Sequence, residues 1–163
     1  MDAIQAIKTR RSVRAYQNKP VPRDILADLV DCARLAPSAM NGQQWEFVVI
    51  TRPDTFDALA KLITHSQWLA KAPAGIAVFC RSHMLYVEDG SAALQNILLA
   101  ATAHGLGSCW VSGDKQPYAE AVARLLGAPA EYRFVGLAVV GYSAETPMRE
   151  KRPLESVLHW ERF

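Results

Sequence analysis

Three guanidinium groups fall within five residues at Arg10-Arg11-Ser12-Val13-Arg14. Held that close they repel one another unless an anion sits among them, and each is a planar fork of donors matched to phosphate oxygens. A second segment, Pro37-Ser38-Ala39-Met40-Asn41-Gly42-Gln43-Gln44-Trp45, supplies amides and hydroxyls. Ser38, Asn41 and Gln43 both donate and accept hydrogen bonds, as reading the edge of a polar ring demands, while Pro37 and Gly42 mark the stretch as loop. A planar, phosphorylated cofactor would use both segments. Taken alone, each has a plainer reading: a charge run is usually a solvated face, and the loop could be only a helix-to-strand connection.

The charge distribution favours the ligand reading. The chain of 163 residues carries a net charge of only +2, too little to mark a nucleic-acid binder, and Val13 and Tyr16 offer little of the interleaved aromatic stacking such a surface needs. Lys8, Arg10, Arg11 and Arg14 crowd one end, however, and Arg149, Lys151 and Arg152 crowd the other. If the two clusters meet they make one anion pocket.

The elements that must bring them together are legible from periodicity. Ala3, Ile4, Ala6 and Ile7 give a short helical stripe, and Ile25, Leu26, Leu29, Val30 and Ala33 a second, expected to end near Ala36 before Pro37. Trp45 to Ile50 reads as a buried strand, Asp54 to Ile63 as a helix opened by Pro53, and Ala74 to Cys80 as a second apolar strand. Val87 to His104 is apolar on nearly every side, so it belongs at the centre of the molecule or at a seam between two subunits, with Gly105 and Gly107 as its stop. Ser108 to Ser112 is a short strand, Tyr118 to Leu126 a helix ended by Gly127, and Phe134 to Val140 a strand ended by Gly141. With half of its residues apolar, the chain is expected to form one domain over 1–163, an α/β or α+β sandwich with helices around a mixed sheet.

Other chemistries find little support. Cys32, Cys80 and Cys109 are odd in number and far apart, so they read as small core residues rather than a disulfide framework or zinc site. No pair of the four histidines has metal-ligand spacing, and only His65 is placed to approach a substrate. Trp68, Trp110 and Trp160 read as core or interface anchors, and no Gly-x-Ser-x-Gly elbow suggests a hydrolase. No apolar run approaches the roughly 18 residues that cross a bilayer, and Met1 to Lys8 lacks a signal peptide's apolar centre, so the cytoplasm is the expected location, with no membrane partner.

Over nearly its whole length the sequence resembles the FMN-dependent nitroreductase superfamily. The opening helix running into Arg10-Arg11-Ser12-Val13-Arg14 is similar to the family's phosphate motif, and Ala36-Pro37-Ser38-Ala39 with Asn41, Gln43 and Trp45 to its flavin loop. Asp89-Gly90-Ser91-Ala92-Ala93-Leu94-Gln95-Asn96 resembles the start of the long central helix, Gly105-Leu106-Gly107-Ser108-Cys109-Trp110 the segment just after that helix, and Lys151-Arg152-Pro153-Leu154 the basic tail. The resemblance implies a homodimer with Arg10, Ser12 and Arg14 on the FMN phosphate, Arg11 nearer the ribityl chain or ring, and Lys151 or Arg152 closing the pocket. Ser38, Ala39, Met40 and Asn41 would come from the partner subunit, with Gln43 either on the flavin or holding the loop. Ser112 and Gly113 would set backbone groups beside the reactive flavin nitrogen, and Gln67 would reach the pyrimidine side of the ring. Gln44 stands where many members have proline and Met40 where a polar residue is common, so the loop above the flavin departs from the pattern.

The implied activity is ping-pong hydride transfer from NADH or NADPH through FMN to a small acceptor such as a nitroaromatic or quinone. No acid, base or nucleophile of the protein's own is required, since the cofactor carries the hard step. The rival reading is a flavin-binding or storage protein without turnover, with deiodination or flavin destruction as related chemistries.

Overall fold

The computed structural model describes residues 1–163, in which four strands form one sheet with helices on both faces. In chain order the elements are α1 (Ala3–Thr9), α2 (Arg23–Arg34), β1 (Trp45–Ile50), α3 (Pro53–Leu62), β2 (Ala74–Arg81), α4 (Tyr86–Ala103), β3 (Gly107–Ser112), α5 (Ala119–Leu125) and β4 (Tyr132–Gly141). Short 3-10 turns add Ala39–Asn41, Gln67–Lys71 and Leu154–Ser156.

The sheet order is β1-β2-β4-β3, and every strand pair is antiparallel. The expected mixed character survives only in an isolated parallel bridge between Ser12 and Ser108 at the β3 edge. The connection through α3 returns β2 beside β1 in the opposite sense, so no parallel crossover is needed.

β2 and β4 are central and covered on both faces, which is why they read as continuous apolar runs. Ile76 and Val78 pack toward α2 and α4 with Leu29, Leu94 and Ile97, whereas Ala77 and Phe79 pack toward α3 and α5 with Phe56, Leu59 and Val122. β1 is an edge strand, so only Trp45 and Ile50 are buried there while Glu46 and Val49 face outward.

Punctuation follows local chemistry. Pro53 opens α3 where its missing N–H costs nothing, and Gly105, at φ +73°, closes α4 in the left-handed region. Cys80 and Cys109 are buried among the core residues and Cys32 is half-buried.

Three apolar segments are less covered than the sequence leads one to expect. In α1 only Ala6 is buried, with Ile4 and Ile7 on the surface. α4 buries one face, Ala93, Leu94, Ile97, Leu98 and Ala101, while Leu99 and Ala100 are only half-buried, because within one chain the sheet covers a single side. Trp160 is 80% exposed and anchors no core. Between α1, α2 and α4 runs an apolar groove of about 310 Å³ lined by Met1, Ala3, Ala6, Leu99, Ala100 and Ala103. No helix is long and apolar enough to cross a membrane.

Candidate functional site

Beyond α1 the chain turns extended and is stitched to the sheet edge. Val13 N–H donates to the Ser108 carbonyl at 2.9 Å, and Tyr16 forms an antiparallel bridge with Ser143. Val13, the one apolar residue in the charged run, is buried, and strand alternation throws Ser12 and Arg14 to the opposite side. Burial pushes the Tyr16 phenol well above its usual range; its hydroxyl donates to the Val13 carbonyl at 2.6 Å.

The two basic clusters meet. A cavity of about 450 Å³ is lined by Arg10, Arg11, Ser12 and Arg14 from one end of the chain and Arg149 and Lys151 from the other. Five cations share this wall with the single carboxylate of Glu145, a net positive charge whose electrostatic cost an anion would lower. Arg152 is not on this wall: its guanidinium donates to the Ser156 carbonyl at 2.6 Å within the tail's own turn. Arg11 shares the wall but commits its Nη1 to the carbonyls of Lys8 and Arg10, at 3.0 and 2.9 Å, satisfying the end of α1.

Sequence reasoning missed Glu145. Its carboxylate accepts the backbone N–H groups of Arg14 and Ala15, at 2.5 and 3.0 Å, and those two bonds hold its carboxyl below the usual range. No motif signals it, since its partners lie 130 positions away. A depressed folded pKa means that the stabilisation is complete above the ordinary value of 4.5 and fades as pH falls through the lower folded value. Glu145→Ala is therefore expected to lower stability at pH 7, and the gap from the unsubstituted protein to narrow as the pH is taken below 4.5, as chemical denaturation across that range checks.

The loop residues form a second group. Met40, Asn41 and Gln43 all have positive φ, 52°, 54° and 49°, and Met40 is fully exposed. Ser38 Oγ accepts Gln43 N–H at 3.0 Å, and Gln43 Nε2 donates to the Asn41 carbonyl at 3.3 Å, so Gln43 holds the loop. Ala39 N–H donates to Asp89 Oδ1 on the first turn of α4 at 2.9 Å. One turn earlier, Tyr86 donates to Asp114, beside Gly113. The same end of α4 thus fastens both the loop and the turn after β3.

At that turn Gly113 N–H donates to the Val135 carbonyl and its own carbonyl accepts Gln116 N–H, while the Ser112 carbonyl accepts the Tyr118 hydroxyl. Gly113 is buried with its N–H and carbonyl both engaged, so Ser112 is the residue this turn exposes. From Ser108, where Ser12 is bridged, β3 runs about 16 Å to Gly113, room for a tricyclic ring and its phosphorylated tail. Gln67 Nε2 donates to the carbonyls of Ala60 and Thr64, closing α3. His65 stacks at a tilt on Tyr118, with 5.7 Å between ring centroids.

The arginine cavity suits the phosphate of an FMN in charge, and the loop supplies amides and hydroxyls of the kind its ring would use. The family model for the nitroreductase family matches residues 7–90 and 80–142. A Methanothermobacter thermautotrophicus protein provisionally named NADH dehydrogenase/NAD(P)H nitroreductase is 34% identical over 153 residues, covering 90% of this chain and 80% of that protein. A crystal structure of a Bacteroides thetaiotaomicron protein with the same provisional name superposes with a TM-score of 0.94 at 29% identity, covering 99% of this chain and 98% of that one. An FMN-dependent nitroreductase from Clostridium difficile gives a TM-score of 0.92 at 27% identity, covering 98% and 99%.

Proposed function

This chain belongs to the nitroreductase family of oxidoreductases, and from that we propose that it is a homodimeric FMN enzyme passing electrons from NADH or NADPH to a small nitroaromatic, quinone or similar acceptor. The observation that carries the reading is the convergence of Arg10, Arg11, Arg14, Arg149 and Lys151 on one cavity, which supports a bound phosphate at the sheet edge. The chemistry the flavin supplies when bound is hydride acceptance from reduced nicotinamide, followed by two-electron transfer to the acceptor at the same face.

The protein's own residues bind and orient. Arg10, Arg14 and Lys151 neutralise the phosphate, and Ser12 donates to it. Arg11 or Lys151 would supply the positive field that favours the negative charge reduction brings. With Ser112 exposed at the turn after β3, a ring set there would keep one face accessible to flat partners, which suits tolerant acceptors.

A second copy of the chain is the partner. The uncovered face of α4, the surface residues Ile4 and Ile7, and the exposed tail residues Leu154, Val157, Leu158, Trp160 and Phe163 support an extensive self-complementary seam. Across it, Ser38, Ala39, Met40 and Asn41 would reach the partner's flavin.

Purified protein is expected to be yellow, to sediment as a dimer with about one FMN per chain, and to bleach on anaerobic mixing with NADH or NADPH. Colour without bleaching would favour the flavin-storage reading. A colourless protein that takes up no added FMN would defeat both.

A further inference from the structure

We propose that Asp89 is the positioning residue of the flavin loop, its carboxylate anchoring Ala39 and thereby holding Ser38 and Asn41 in their presenting conformation. The inference rests on the reading of residues 38–43 as part of the flavin site. Every other hydrogen bond those residues make is internal to the loop: Asn41 N–H to the Ser38 carbonyl, Gly42 N–H to the Ala39 carbonyl, Gln43 N–H to Ser38 Oγ and Gln43 Nε2 to the Asn41 carbonyl. The bond from Ala39 N–H to Asp89 Oδ1, at 2.9 Å, is the one that reaches outside.

Two facts mark Asp89 as more than a helix-start acid. It is 6% exposed, and a carboxylate taken out of water is retained only where its partners compensate it. Its second oxygen lies 3.4 Å from His83 Nε2, both atoms being buried without a hydrogen-bond partner, so the Ala39 N–H is the hydrogen bond that holds this carboxylate. The loop it holds needs a restraint. Met40, Asn41 and Gln43 all sit in the left-handed region, which non-glycine residues occupy only when their surroundings enforce it.

The test compares Asp89→Asn and Asp89→Ala by titrating FMN and riboflavin into apoprotein. Asparagine keeps an oxygen for Ala39 N–H, so FMN affinity should stay within about threefold of the unsubstituted protein. Alanine leaves that N–H unpaired and the loop untethered, and should weaken FMN and riboflavin alike, by about tenfold, with their ratio unchanged because the phosphate site is untouched. Rescue by asparagine and a constant ratio are signatures that a general loss of stability would not produce.

Should Asp89→Ala fail to fold, Ala39→Pro removes only the donor, following an extended Ser38 (φ −138°, ψ 155°) that suits a residue before proline, and should give the same loss. Unchanged flavin affinity in the alanine or proline variant, or an asparagine variant as weak as alanine, would overturn the proposal while leaving the FMN reading intact. Failure of the unsubstituted protein to bind FMN would remove the FMN reading and the role of Asp89 together.

Discussion

Arg10→Ala is expected to weaken FMN about 100-fold and riboflavin hardly at all, since a hydrogen bond between charged groups carries up to about 3 kcal/mol. Arg10 follows α1 directly and is half-buried, so its guanidinium is pre-positioned on the cavity wall rather than free in solvent. Arg11 has an Nη1 committed to α1 carbonyls, and the carboxylate of Glu145, which lines the same cavity, accepts the Arg14 backbone N–H. Parallel fluorescence titrations with FMN and riboflavin decide the matter. Equal weakening of the two ligands would contradict the placement of the phosphate.

Gly113→Ala is expected to slow bleaching by NADH at least about tenfold and to cost about 1–3 kcal/mol of stability, the usual range for overpacking. A Cβ there would lie 2.7 Å from the Phe134 backbone oxygen and 2.6 Å from its Cδ1. Neither can yield cheaply: Phe134 belongs to β4 and packs on Phe79, with ring centroids 5.5 Å apart. The turn itself must therefore move, and with it the exposed Ser112 proposed to lie beside the ring, while the arginine cavity some 16 Å along β3 is left in place. Gly105→Ala is the control. Its Cβ would meet nothing within 4 Å, so the only cost is that of its positive φ, about 1 kcal/mol, and the bleaching rate should be unchanged. Stopped-flow absorbance and thermal melts read both variants, and a Gly113→Ala protein bleaching at the unsubstituted rate would sever the turn from the chemistry.

Helices and strands were legible to within a residue or two because Pro22, Pro53, Gly105 and Gly127 punctuate strong apolar periods. The pattern states which face is apolar but not what covers it. Ile4 and Ile7 follow the same rule as Leu26 and Leu29, yet only the latter meet the sheet. Strand order was likewise hidden, so β1 looked as buried as β2.

At the site, the meeting of the two basic clusters could be anticipated from charge alone. Which donors remain available could not, because Arg11, Gln67 and Arg152 are spent on carbonyls within a few residues of themselves, a matter of local conformation rather than residue type. The contacts of Glu145 and Asp89 were hidden for the opposite reason: their partners lie 131 and 50 positions away, and a single acid carries no spacing that names its partner.

The bridges tying Ser12 through Gln17 to Ser108, Tyr142 and Ser143 also fix a chronology. The guanidinium run leaves the ribosome well before the residues that wall its cavity, an interval of about ten seconds at ordinary elongation rates. A nascent chain halted before Ser143 lacks Arg149 and Lys151 from the wall of the anion cavity, so if the protein binds FMN as proposed, full loading is expected only once they have been made. Yellow colour would then count chains that carry this last stretch, and truncated products in a preparation would remain colourless.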